Sequence, residues 1–296
     1  MDVAGAWPLN IVGPIVEAAH AKRKPVAFVG IGTESLTRQQ SKRIVSEVLA
    51  PTVVHWSVRS ERDKDRLVEC NVPADKITAA ADLAWMLDPV TTEYGEARLR
   101  ELGVDPREPI VGVNINHEPH MTERAPRLFD DLAAVLDQIV EERRVRVVFL
   151  CNEVRDEEKF DKAASEKVLR AMKNREWAVL VPNEYRSPQQ MLSLIACCRM
   201  TITSRYHFSL FSAVQKVPFL ALKRSDKIDD LCWDLRWDYG VALGHLGDLS
   251  LAEMLSEMET KRASLVARLE ENARKMRQRT LKNRVAIAAL AKETAK

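Results

Sequence analysis

Short, continuous apolar runs alternate with longer mixed stretches along most of this chain. "VAFVGIG" (26–32) is an apolar run closed by glycines, and "TESLTRQQSKRIVSEVLA" (33–50) follows it with helical spacing and Thr33 or Ser35 as its cap. "TVVHWSVR" (52–59) is rich in β-branched residues and leads into the charged helix "SERDKDRLVECN" (60–71). "DKITAAADLAW" (75–85) supplies a third strand, ending near Asp82. "GVDPREP" (103–109), with two prolines and three charges, reads as a linker.

A second series follows. "IVGVNIN" (110–116), "RVRVVFL" (144–150), "WAVLVP" (177–182), "RMTIT" (199–203) and "PFLAL" (218–222) read as buried strands. Helical patterns lie between them, around 127–142, 156–174, 188–197 and 205–215. Strands that are apolar on both faces and alternate with helices predict parallel sheets covered on both sides. The expected architecture is α/β: two doubly wound parallel-sheet domains and a C-terminal helical segment. The boundaries fall at 1–104 for the first domain, 110–249 for the second and 250–296 for the helices. The first domain offers three strands against at least five in the second, so either it borrows support from the second or it is incomplete.

Bulk composition changes this picture little. The 296 residues are 30 % charged and 46 % hydrophobic, as in soluble globular proteins, with a formal net charge of +2. The chain as a whole is no polycation, and a nucleic-acid partner is not expected; any anion site must come from local clustering. No apolar run reaches bilayer length and no signal-peptide pattern opens the chain. Five cysteines, at 70, 151, 197, 198 and 232, lack metal-ligand spacing, so no metal site is expected; no cofactor is expected either. A reduced, cytoplasmic protein is the expectation. The basic, amphipathic tail at 261–290 suits a helix packed back on the domains, with peripheral membrane association as the lesser reading.

The clustering appears in "SRYHFSLFSAVQKVPFLALKRSDKIDDL" (204–231). The strand before it ends at Thr203, and in an open parallel sheet ligands lie beyond the carboxyl ends of strands. Ser204 is the expected cap, which places Arg205, Tyr206 and His207 in a first helical turn, beside unpaired N–H groups. "PFLAL" then delivers Lys223 and Arg224 to the same rim, with Lys227 a turn later. On paper this is an anion site for a small, highly charged ligand. Taken singly, each cation is better explained as a solvated loop charge; the joint arrangement carries the weight.

At these residues the sequence resembles the polysaccharide pyruvyl transferase family. Arg205-Tyr206-His207 opens an apolar helix, Val217-Pro218 precedes a short strand, and Lys227 follows. Upstream, in matching order, stand the Gly-x-Gly of Gly30 and Gly32, the Ser-x-Arg of Ser57 and Arg59, and the Ala-Asp of Ala81 and Asp82. The chain departs from the family pattern at Ser60, where an acid is usual, and at Leu83, where proline is common. The family's glycine-rich loop is represented only by "VAGAWPLN" (3–10), and its opening strand and helix have no counterpart; a fragment, a mis-called start and a trimmed relative are the expectations this leaves open.

The resemblance implies a GT-B-like pair of domains. It also implies transfer of a pyruvyl group from phosphoenolpyruvate to two hydroxyls of a glycan or a lipid-linked sugar, forming a cyclic ketal in cell-surface polysaccharide biosynthesis. Arg205 and Arg59 are then the anion clamps, Lys227 an auxiliary charge and His207 the proton carrier, acid or base. Tyr206, Gly30 and Gly32 complete the expected substrate contacts. Plainer readings stand beside these. Arg59 suits an ion pair with Glu61 or Asp82, Asp82 a loop hydrogen bond, and the glycines a tight turn. Glu153 and Asp156 read as a solvated loop rather than sugar contacts, and Trp177, Trp233 and Trp237 as core packing. A nucleotide-sugar glycosyltransferase is the alternative enzyme, and a non-catalytic, truncated relative that binds a glycan or a partner is the alternative outside catalysis. The oligomeric state is left open.

Overall fold

The computed structural model describes residues 8–34, 36–243 and 251–295. The candidate cap Ser35, positions 3–7 of the "VAGAWPLN" stretch and the expected boundary at 249/250 lie outside the described residues. Two compact units emerge. One holds the described residues up to Met86, with Ser225–Asp230 and those from Arg274 on; the other holds Leu87–Arg224 and the described part of Leu231–Ala273.

In the first unit, helix α1 (Leu9–Ala21) leads to strand β1 (Val26–Ile31). Helix α2 (Gln39–Arg43) continues through a π-helical stretch (Ile44–Leu49) into α3 (Ala50–Thr52), followed by β2 (Val53–Val58), α4 (Glu61–Glu69) and β3 (Ile77–Ala79). The strands are parallel in the order β1-β2-β3. Val16, Val45, Leu49, Trp56, Val58 and Leu67 are among the buried residues of its core.

Two boundary expectations change here, each for a physical reason. The helix after β1 starts at Gln39 and not beside Thr33, because Thr33 is engaged elsewhere: its N–H and hydroxyl both donate to Asp63 Oδ1, at 2.7 and 2.9 Å. The third strand stops at Ala79, and Asp82 closes a turn by accepting from the Ala84 N–H at 2.8 Å. Ser60, where the family pattern has an acid, caps α4 by accepting from the Asp63 N–H at 3.0 Å.

The second unit begins with α5 (Glu93–Glu101), then β4 (Ile110–Asn114), α6 (Pro119–Arg124), α7 (Leu128–Arg143), β5 (Arg146–Phe149), α8 (Asp161–Ala171) and β6 (Ala178–Leu180). It continues with α9 (Pro188–Ala196), β7 (Met200–Thr203), α10 (Tyr206–Val214), β8 (Phe219–Lys223), β9 (Gly240–Ala242) and α12 (Leu251–Thr260), while the residues of α11 (Asp226–Asp234) and α13 (Arg262–Thr280) are divided between the two units. Its six parallel strands run β6-β5-β4-β7-β8-β9. The order grows outward from β4 in one direction and from β7 in the other, so the strand order reverses between β4 and β7. That is where open α/β sheets place ligands.

The segment at 103–109 lies inside this unit, because α5 is docked on α9. The Gly95 N–H donates to Ser193 Oγ at 2.9 Å, and Ser193 Oγ donates to the Thr91 carbonyl at 2.7 Å. The last helix, α14 (Arg284–Thr294), returns to the first unit and packs on β1 and β2. Just before it, Asn283 donates to the Ala81 carbonyl at 2.9 Å and accepts from Ser57 Oγ, while Arg279 donates to the Ala80 carbonyl at 2.9 Å. The small sheet thus gains cover from the chain's own C-terminal segment. Among the described residues no helix is long and apolar enough to cross a membrane.

Candidate functional site

The carboxyl ends of β4 and β7 meet at the reversal point of the second unit. Asn114 ends β4 and Asn116 follows it, two residues apart and therefore on the same side of an extended chain. Asn114 accepts from Thr203 Oγ1 at 3.1 Å, and Asn116 accepts from Ser204 Oγ at 2.7 Å. Each asparagine also donates to a carboxylate: Asn114 to Asp161 Oδ2 at 3.0 Å, Asn116 to Glu118 Oε1 at 3.2 Å. Each carboxylate in turn pairs with an arginine. Arg205 Nε lies 2.6 Å from Asp161 Oδ1, and Arg224 Nη1 lies 2.6 Å from Glu118 Oε1. Two parallel relays, strand end to asparagine to carboxylate to arginine, therefore define this rim.

Arg205 itself occupies the cap position of α10, with extended backbone, and the helix begins at Tyr206. This corrects the expectation that Ser204 is the cap. The Ser204 hydroxyl is committed to Asn116, and its own N–H donates to the Asn114 carbonyl at 3.0 Å. Thr203 takes part of the capping role, since its Oγ1 accepts from the Arg205 N–H at 3.0 Å. Tyr206 is buried, whereas His207 is exposed, its ring edge-on to the Tyr206 ring at 5.2 Å. Arg224 is almost wholly buried and donates through Nε to the Ser204 carbonyl at 2.8 Å. It braces the turn that presents Arg205. His120 sits beside it, donating to the Arg224 carbonyl at 3.3 Å.

The electrostatics limit what chemistry the rim performs. Burial, with the charge of Asp161 adding to it, pushes the Cys151 thiol at the end of β5 up to about 12, so no thiolate nucleophile is on offer. Hydrogen bonds from Arg155 hold the Glu153 carboxyl below its ordinary range, and Asn183 and then Lys162 do the same for Asp156. Both carboxylates are thus occupied by neighbours on an irregular loop. Trp237 stacks on Phe219 at 4.9 Å in the core, Arg146 lies over Trp177 at 5.0 Å, and Trp233 is 68 % exposed, so core packing describes Trp237 and not Trp233. Among the described residues no cluster of His, Cys, Asp or Glu is arranged to hold a metal ion.

The remaining candidates lie in the first unit and have structural partners there. Arg59 Nε is 2.8 Å from Asp82 Oδ2 and 3.1 Å from the Gly30 carbonyl. Gly30 has φ +63°, and a Cβ on it would meet Leu83 at 2.9 Å. Gly32 leaves room for the Arg59 side chain, which a Cβ would meet at 3.0 Å. Lys227 lies 3.5 Å from Glu34 and is grouped with this unit. Arg205, Tyr206 and His207 therefore come together in one unit, and Arg59, Gly30 and Gly32 in the other.

The family model for polysaccharide pyruvyl transferase matches residues 3–226. The chain belongs to the polysaccharide pyruvyl transferase family. The match takes in Gly30, Gly32, Arg59 and the Arg205–His207 turn, and it ends one residue before Lys227. Solved structures of similar fold include HepE from Anabaena in complex with UDP and glucose, 12 % identical over 95 % of this chain and 75 % of that one, with a TM-score of 0.67. UDP-GlcNAc 2-epimerase from Neisseria meningitidis bound to UDP-GlcNAc is 10 % identical over 94 % and 72 %, with a TM-score of 0.65. The corresponding epimerase from Methanocaldococcus jannaschii is 14 % identical over 80 % and 66 %, with a TM-score of 0.54. At such identities the likeness bears on the fold, which is α/β and GT-B-like. No curated protein matches the chain.

The asparagine–carboxylate relays were missed in the sequence. The alternating polar positions of "NIN" (114–116) after an apolar strand carried a signal for half of them. Nothing in the local pattern marked Asp161, whose role depends on where α8 starts in space.

Proposed function

We propose that this protein transfers the pyruvyl group of phosphoenolpyruvate to two hydroxyls of a sugar acceptor, a glycan or a lipid-linked sugar, as a cyclic ketal. The supporting observation is the Arg205–His207 turn at the strand-order reversal of the second unit, in a chain of this family. Phosphoenolpyruvate puts a phosphate and a carboxylate in a small volume. A guanidinium at the mouth of α10, beside the first N–H groups of that helix, suits one of them. One sugar hydroxyl adds to C2 while C3 gains a proton; the second hydroxyl then displaces phosphate from C2, and its proton leaves with the phosphate. His207, exposed beside Arg205, is the group assigned to carry a proton in this sequence, and Tyr206 holds its ring in place. The reaction is assigned to the cytoplasm, which suits the free cysteines among the described residues.

The test is phosphate release from phosphoenolpyruvate with a panel of sugar acceptors, followed by mass analysis of the acceptor. Ketal formation is the expected result; no release and no phosphoenolpyruvate binding would refute the reading. A second reading, a nucleotide-sugar glycosyltransferase, is favoured by the fold shared with proteins solved in complex with UDP and UDP-GlcNAc. Thermal shift separates the two, since a ligand that binds only the native state raises its melting temperature. Phosphoenolpyruvate, and not UDP-glucose, is expected to do so.

A further inference from the structure

We propose that Asp161 is a positioning residue, which fixes the edge of the Arg205 guanidinium that faces the substrate; this rests on the reading that Arg205 binds phosphoenolpyruvate. Asp161 is fully buried at the first turn of α8. Its Oδ1 receives Arg205 Nε at 2.6 Å and lies 2.5 Å from Nη2. Its Oδ2 accepts from Asn114 Nδ2 at 3.0 Å and from the Asn152 N–H at 2.8 Å. Asn114 is itself buried, donating a second time to the Leu150 carbonyl at 2.8 Å and accepting from Thr203 Oγ1. The Arg205 N–H donates to that same Thr203 Oγ1.

The bonds close a ring. Arg205 main chain leads to Thr203, Thr203 to Asn114, Asn114 to Asp161, and Asp161 back to the Arg205 side chain. Both ends of Arg205 are thereby tied to one rigid group of buried atoms at the ends of β4 and β7. Along the Nε and Nη2 edge, Nε donates to Asp161 Oδ1, and the buried Nη2, which has no hydrogen bond of its own, lies against the same oxygen. The Nη1 side, which makes no hydrogen bond to the described residues, is left as the edge presented to a ligand. A planar guanidinium held along one edge presents the other in a fixed direction, which a lysine cannot do.

The charge of Asp161 makes the proposal sharp. A carboxylate in contact with Arg205 cancels much of the attraction that this arginine offers an anionic substrate. If the rim served only to collect positive charge, Asp161 would oppose its purpose. Its presence is explained if fixing the direction of the guanidinium matters more than the field it exerts. The two accounts predict opposite signs for one substitution.

That substitution is Asp161→Asn. The new amide keeps an oxygen for the Asn114 and Asn152 donors, so the buried side of the network survives. Its NH2 then faces Arg205 Nε, donor against donor, and the guanidinium is released. The positioning account predicts that KM and Kd for phosphoenolpyruvate rise roughly tenfold or more, as for a lost charge-assisted hydrogen bond. KM for the acceptor stays within about twofold on the same account, since the acceptor does not contact this edge. Unchanged or tighter phosphoenolpyruvate binding in a folded Asp161→Asn protein overturns the proposal. Arg205→Ala is the companion arm: if it leaves phosphoenolpyruvate binding intact, the underlying reading of Arg205 fails, whatever Asp161 does. If Asp161→Asn does not fold, Arg205→Lys carries the test. The ammonium is drawn to Asp161 and leaves the rim without a donor, so binding is expected to fall as far as in Arg205→Ala; retention within about threefold of wild type overturns positioning.

Discussion

Substituting Gly95 by alanine tests how the second unit is built. Gly95 lies within α5, and an ideal Cβ there would stand 2.4 Å from the Ser193 carbonyl oxygen, 2.8 Å from the Ser193 carbonyl carbon and 2.7 Å from Cys197 Sγ. The nearest atoms are backbone, so no side-chain rotation relieves the contact; α5 and α9 must separate by close to an ångström. Overpacking of this kind costs about 3 kcal/mol, the upper part of the usual range. The separation also stretches the bond from the Gly95 N–H to Ser193 Oγ, worth about 1 kcal/mol. Alanine's better helix propensity returns about 1 kcal/mol. The net expectation is a loss of about 3 kcal/mol, or roughly 6–12 °C in melting temperature for a unit of this size. Urea titration followed by circular dichroism and tryptophan fluorescence measures it. Gly103→Ala is the control: its φ is +75° but nothing lies within 4 Å of the added Cβ, so backbone strain of about 1 kcal/mol is the whole effect. A Gly95→Ala protein as stable as wild type would mean that α5 does not cross α9 at this distance.

Two further predictions concern protonation. Burial lowers His55, with Asp75 pulling the other way, and burial followed by the Lys167 charge lowers His117. A histidine depressed in the folded state contributes stability that is complete above its unfolded value of about 6.5 and is lost as pH falls through the lower folded value. The urea midpoint is therefore expected to drop between about pH 7 and pH 5, and to drop less in a His55→Gln/His117→Gln double variant; equal drops would refute the assignment. Asp63 works in the opposite sense, because burial raises its carboxyl and acid then favours the folded state. Burial also pushes the thiols of Cys151 and Cys197 up to about 12, and that of Cys198 higher still. Iodoacetamide at mildly alkaline pH is expected to spare these three in the native protein and to label them after denaturation, as read by mass spectrometry.

The central strands β4, β7 and β8 of the second unit were legible because their apolar runs are buried on both faces, leaving no helical alternative for stretches as short as "RMTIT" and "PFLAL". The Arg205–His207 turn was legible for the same reason: it follows directly on a recognisable strand end. What escaped the sequence depended on distant partners. The helix after β1 starts late because Asp63, thirty positions downstream, holds Thr33. The cap of α10 shifts to Arg205 because Asn116, just past the end of β4, claims the Ser204 hydroxyl. Helix α1 and strand β9 lacked a strong local pattern, and the return of α14 to the small sheet is a tertiary event that no window of the chain records. Arg59 carried both an ion-pair and a ligand reading; in the structure it pairs with Asp82 and donates to the Gly30 carbonyl, and the ligand reading stays a proposal.

Isothermal titration of the full chain with phosphoenolpyruvate, wild type against Arg205→Ala, bears most directly on the proposed activity. The guanidinium at the mouth of α10 is expected to make wild-type binding measurable and its removal to abolish it, at a temperature where both proteins are folded, since the loss of Arg205 leaves the buried Asp161 without its arginine and lowers the melting temperature. Equal affinity in the two proteins would contradict the account.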